Sequence, residues 1–247
     1  MRWMRMRLHA PLAAFGGEAI DSHGVTRDFP AQSMLTGLLA NALGWTRNMR
    51  EAHQRLQDRI VFGFLHEVEP LHGRATDYQT AQLAKSDRAW TTSGTASGRD
   101  GGAKSYIGAH QRWRDYRLDL RLSGVLRLDS QDAAPTLDDL AHALRRPARP
   151  LFIGRKPCLP SASIFAGWVE AEDAREALRR AAPAGLQEFR ALWPESEGME
   201  GANRTFDLTD EPAVLILASD FAVGCKIRAF PTRSGRNRPA DPSCGRD

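Results

Sequence analysis

MRWMRMRLHAPLAAF, residues 1–15, alternates in character, and the fold follows from it. Met4, Met6, Leu8 and Ala10 fall on one side of an extended chain, and Arg5, Arg7 and His9 fall on the other. A period of two predicts a β-strand with one buried face and one basic face. The same cations, with Pro11, break any apolar run, so no signal sequence is expected in this stretch. No later run approaches membrane-spanning length either. The expectation is a soluble, cytoplasmic protein with no membrane partner.

Working outward, SMLTGLLANALGW (33–45) places Leu35, Leu38, Leu39, Ala42 and Leu43 at helical spacing, with Ser33 as the expected N-cap. RIVFGFLHEV (59–68) reads as a second strand. YRLDLRLSGVLRL (116–128) alternates again and predicts a third. TLDDLAHALRRP (136–147) is a short helix opened by a capping box of Thr136 and Asp139. PLFIG (150–154) reads as a fourth strand. Between the second and third strands, residues 73–112 include TTSGTASGRDGGAKS (91–105), which holds four glycines and almost no apolar side chain. Such a stretch packs no core, so an extended hairpin arm is expected there. The order strand, helix, strand, arm, strand, helix, strand predicts an α+β fold: a ferredoxin-like (RRM-like) βαββαβ domain with a long hairpin insertion. The expected division is residues 1–160 for this domain, 161–230 for a small β-rich C-terminal region, and 231–247 for a basic, disordered tail.

Composition narrows the chemistry. Of 247 residues, 34 are Lys or Arg against 30 Asp or Glu, for a net charge of +4. Only Lys85, Lys104, Lys156 and Lys226 are lysines. The arginine bias suits phosphate forks and base stacking, which is compatible with nucleic acid. The three cysteines, Cys158, Cys225 and Cys244, form no CxxC pair and predict reduced thiols, with no metal and no cofactor. No nucleophile elbow, phosphate loop or HExxH motif occurs. A metal-free ribonuclease needs only a base, an acid and a cation, for which His110, Tyr116, Lys104 and His23 are candidates. The arm instead favours RNA binding, because it mixes cations with aromatics: Tyr78, Arg88, Trp90, Arg99, Lys104, Tyr106, Arg112, Trp113, Arg114 and Tyr116.

Five stretches in one order then carry a resemblance: LHAPLAAFG (8–16), FPAQSMLTGLLANALGW (29–45), TDYQT (76–80), RWRDY (112–116) and PLFIGRKPCLPS (150–161). Together they resemble the CasD (Cas-five) family, subunits of type I-E CRISPR Cascade complexes. TFDLTDEPAVLIL (205–217) resembles that family's carboxy-terminal strand region, so the likeness spans about residues 1–230. The sequence departs from the family pattern at Ala10, Phe15, Gln32 and Gln79, which stand where the family has glycine, tryptophan, a basic residue and histidine.

The resemblance implies a non-catalytic subunit that binds and caps the 5′ handle of the crRNA. It also implies contacts with the Cascade backbone subunit and the large PAM-reading subunit, and with target DNA through the assembled complex. The arm becomes the family's thumb, and Arg114 its expected contact with RNA. Further expected RNA contacts are Gln32, Ser33 and Thr36 at the first helix, Arg27 in place of the missing cation, Tyr78, Lys104 and Arg112 on the thumb, and Arg155 with Lys156 on the turn after Gly154. A related branch, in type I-C systems, cuts the repeat RNA. It supplies the alternative of a metal-free endoribonuclease using His110, Lys104 and Tyr116.

Overall fold

The computed structural model describes residues 1–17, 22–67, 73–82, 87, 89–90, 96–97, 109–130, 133–184, 188–194, 197 and 221–228. In chain order the elements are β1 (Arg2–Ala13), β2 (His23–Gly24), α1 (Gln32–Ala42), α2 (Arg50–Arg59), β3 (Ile60–His66), β4 (Arg74–Ala81), β5 (Ala89–Trp90), β6 (Ala96–Ser97), β7 (His110–Leu128), α3 (Leu137–Arg145), β8 (Phe165–Glu170), α4 (Ala174–Ala181), β9 (Glu188–Pro194) and β10 (Phe221–Arg228). This is a mixed α/β chain with four helices among the described residues.

β1 lies inside the sheet, antiparallel to β7 on one side and to β8 on the other. The strand order is β10-β9-β3-β7-β1-β8, with β2 and β4 flanking the outer half of β7. The alternation in β1 now has a cause. Met4, Met6 and Leu8 face α1 and α3, where Leu35, Leu39, Leu140 and Leu144 complete the larger core with Phe62 and Phe64 of β3. Each fully buried side chain of this size contributes about 1.5–3 kcal/mol. The opposite face is not simply basic. Trp3, Leu65, Val125 and Trp193 make a second core there with Ala174, Ala177 and Leu178 of α4, and Arg5 donates to the carbonyl of Ala181 at the end of that helix, 3.3 Å away.

Three expectations need correction. PLFIG is not a strand. Leu151 and Ile153 are buried as anticipated, but Ile153 accepts from the Ala14 N–H and donates to the Cys158 carbonyl, closing a loop instead of joining a ladder. A short apolar run signals burial without specifying the element, and prolines at 147, 150 and 157 interrupt pairing. The fourth strand of the order is β8, 165–170. It pairs with β1, so residues beyond 160 extend the same sheet. Ser33 is not the N-cap of α1: the cap is Ala31, which offers no side-chain bond. The Thr136–Asp139 capping box of α3 is present in both directions. α2 was not anticipated, because only Leu56 of its ten residues is buried and no apolar stripe marks it.

The hairpin arm is built on β7, whose first eight residues pair with β4 from Ala81↔His110 to Arg74↔Arg117. The remaining residues of β7 run into the body between β1 and β3. Most of 91–105, Arg88, Lys104, Tyr106, the stretch 205–217 and the tail 231–247 lie outside the described residues. No helix among the described residues is long and apolar enough to cross a membrane.

Candidate functional site

A groove of about 850 Å³ gathers stretches far apart in sequence. One wall is the loop Ala14–Gly16 after β1. A second is the exposed side of α1, with Ser33, Met34, Gly37 and Asn41. Trp45–Asn48 and His53 continue it, and Arg149, Phe152 and Gly154–Lys156 close it. Three of the five sequence motifs therefore meet around one concavity.

The turn at Gly154 is dictated by crowding. Gly154 has φ +95°, and a Cβ there would sit inside the contact shell of the Ala14 carbonyl. Only glycine allows the loop to pass this close to the end of β1. The two cations after it then diverge. Arg155 turns inward: its Nη1 donates to the Asp115 carbonyl at 2.9 Å and its Nη2 to the Gly24 carbonyl at 3.0 Å. Its guanidinium also lies 5.0 Å from the centroid of the Tyr116 ring. Lys156 is exposed at the groove edge. Arg149 is likewise committed to backbone, donating to the carbonyls of Trp45 and Gly44 at the end of α1.

The start of α1 opens on the same groove. Its first turn holds no acidic residue and its cap supplies no side-chain acceptor, so free backbone N–H groups and the positive end of the helix dipole remain available to an anion. Ser33 lines the groove. Gln32 turns away from it: its amide donates to the carbonyls of Gln57, at 2.7 Å, and Ile60, at 3.2 Å, pinning the start of α1 to the junction of α2 and β3. Thr36 is buried and donates back to the Gln32 carbonyl at 2.9 Å. Arg27 sits half-buried beside the groove loop, its N–H bonded to the Gly16 carbonyl.

On the arm, Arg114 donates from Nε to Gln79 Oε1 at 3.0 Å, and Arg112 is exposed. Tyr78 and Trp113 are exposed and face each other across the β4–β7 ladder, with ring centroids 5.1 Å apart. Tyr116, by contrast, belongs to the core. His110 lies six residues away along the same strand, about 20 Å, so the structure does not bring this pair together. Lys104 lies outside the described residues.

Two clusters escaped the sequence reading. Asp28 receives Arg74 of β4, Arg117 of β7 and Arg190 of β9, binding the root of the arm to the far side of the sheet. His23 of β2 bonds Asp115 Oδ1 at 2.9 Å, and Thr76 donates to the same oxygen at 2.8 Å. Burial works against the charge on Asp115, but these bonds, with the charges of His23 and Arg74, hold its carboxyl below the usual range. No local pattern announces either cluster, since their members are 39 to 162 residues apart.

The sequence matches the pattern of the family described as "CRISPR-associated protein (Cas_Cas5)" over residues 3–224. The chain belongs to that family. Within it, the CRISPR system Cascade subunit CasD of Escherichia coli (strain K12) is 26% identical over 220 residues, covering 87% of this chain and 90% of that protein. A chain of a solved CRISPR RNA-guided surveillance complex shares the fold with a TM-score of 0.55 and 18% identity, over 78% of each chain.

Proposed function

We propose that this family member is a non-catalytic subunit of a type I-E CRISPR Cascade, holding and capping the 5′ handle of the crRNA. It touches the backbone subunit and the large PAM-reading subunit, and meets target DNA through the assembled complex in the cytoplasm. The similarity to a Cascade subunit over most of both chains supports the role in the complex. The observation that carries the RNA-binding part is the groove. There the open N-terminus of α1, the loop after β1 and the Gly154–Lys156 turn converge with Arg47 and Lys156 exposed. The reading of the body as ferredoxin-like rests on the antiparallel order β3-β7-β1-β8 with α1 and α3 on one face.

Ser33, Lys156 and Arg47 are the groove residues assigned to phosphate, with Arg27 beside the groove loop, and Tyr78, Arg112 and Arg114 are the thumb residues assigned to RNA. Arg155, Gln32 and Thr36 act from behind, by shaping the walls. The endoribonuclease alternative gains no support from the geometry, because Tyr116 is core and His110 is exposed at the arm. The test is incubation of the purified chain with labelled repeat RNA. Binding without site-specific cleavage is expected. Cleavage lost in His110→Ala or Tyr116→Phe would overturn the non-catalytic reading.

A further inference from the structure

Strands β2, β7 and β4 lie side by side at the root of the arm, and their register sets three rings in a row. His23 of β2 pairs with Trp113 of β7, and Trp113 pairs with Tyr78 of β4. Side chains of directly paired residues share a sheet face, so His23, Trp113 and Tyr78 stand on one surface. Adjacent strands are about 4.8 Å apart, which makes the row about 10 Å wide. All three are open to solvent: Tyr78 is 50% and Trp113 36% exposed, and the His23 side chain 47%. Two positions along, Asp115 and Thr76 occupy the same face, bonded to each other, and Asp115 also bonds His23. This surface is on the side of β7 away from Tyr116 and Arg155, since Trp113 and Tyr116 are three residues apart on one strand. It is therefore separate from the groove.

We infer that the His23–Trp113–Tyr78 row is a stacking shelf for unpaired nucleobases of single-stranded RNA. The inference rests on the proposed RNA-binding function and specifies how Tyr78 of the thumb, with Trp113 and His23, would hold RNA. Bases splayed out of a helix are held on the faces of Trp, Tyr and His, with polar groups alongside to meet their edges. The shelf has that composition. Its flanks on the same face are the exposed Thr76, Gln111 and Thr80, while Asp115 is buried and Arg112 and Arg114 project from the reverse face of the same strand. The described part of the arm exposes no large aliphatic side chain beside Tyr78 and Trp113. His23 has a second role here: its bond to Asp115 orients the ring and anchors β2 against the arm.

The experiment compares two octamers against the full-length chain: oligoadenylate RNA and an abasic ribose-phosphate octamer of equal charge. Wild type is expected to bind the adenylate more tightly. Tyr78→Ala and Trp113→Ala should each weaken adenylate binding by about 5- to 150-fold and leave the abasic octamer unchanged. Trp113→Phe, which keeps a ring, should restore most of the affinity and guards against misfolding of the alanine variant. Equal loss for both octamers, or no loss for either, would overturn the shelf while RNA binding stands. Ring variants that bind adenylate normally but fail to join the other Cascade subunits would make the face a protein contact and also overturn it. Failure of wild type to bind either octamer would remove the proposed function itself, and the shelf with it.

Discussion

Arg155 Nη1 donates to the backbone carbonyl of Asp115 at 2.9 Å, joining the turn after Gly154 to the long strand of the arm. The same guanidinium holds the Gly24 carbonyl of β2, so one side chain laces three segments together. Its neighbour Lys156 makes no such bond and is exposed at the groove edge. Adjacent cations in sequence thus have different tasks. Arg155→Ala is expected to lower stability by about 1–3 kcal/mol, because two carbonyls lose a charged donor. Arg155→Lys should not restore it, since an ammonium cannot span both acceptors as the planar fork does. Lys156→Ala should leave stability unchanged and flatten the log–log salt dependence of single-stranded RNA binding by about 0.7. Urea denaturation and salt titrations of RNA affinity check both.

Gly154 and Gly37 form a contrasting pair. Gly154→Ala forces a methyl group against the Ala14 backbone at positive φ, and is expected to cost at least about 2 kcal/mol. At Gly37, on the groove side of α1, an added Cβ meets no atom within 4 Å. Gly37→Ala should be neutral or stabilising by up to about 1 kcal/mol. Because the methyl group projects into the groove, RNA affinity should fall even as the melting temperature holds or rises. A drop in melting temperature without a change in affinity would argue that α1 has no ligand-facing side.

Asp28 is the carboxylate on which Arg74, Arg117 and Arg190 converge, and Arg117 is buried. Asp28→Asn removes the carboxylate on which that buried guanidinium and two other cations converge. The expected loss is about 3 kcal/mol, seen in chemical denaturation. Hydrogen exchange at the root of the arm, around 74–76 and 115–117, should accelerate in the same variant.

His66 gives the protein an acid-sensitive point. Burial, with the charge of Arg190 added, lowers its pKa from 6.5 to about 4. The folded protein therefore keeps His66 neutral where the unfolded chain has already taken up a proton. Stability is complete above pH 6.5 and falls as pH drops from there toward 4, by about 3 kcal/mol in all. His66→Phe is expected to remove most of that slope between pH 6.5 and 4.5, whatever it does to stability at neutral pH. Thermal melts across that range measure it, and an unchanged slope would place the acid sensitivity elsewhere.

Local pattern was enough for β1, α1, β3, the inner part of β7 and α3, because a strand or helix with one buried face repeats its apolar residues at a fixed period. The Thr136–Asp139 cap was equally legible, since both partners lie within one helical turn. The resemblance to a Cascade subunit was carried by short stretches of residues and needed no coordinates. α2 was hidden by its polarity, and PLFIG was misread because three apolar residues in a row report burial but not the element that achieves it. Tertiary structure alone decided which cations face solvent. Arg5, Arg149 and Arg155 end on backbone carbonyls of distant segments, and Gln32 turns away from the groove. It also decided the three-ring row, whose members come from positions 23, 78 and 113. Periodicity is a property of neighbours along the chain, whereas the direction a polar side chain takes depends on which unsatisfied donors and acceptors the sheet register brings beside it, and that register is set by the packing of the whole core.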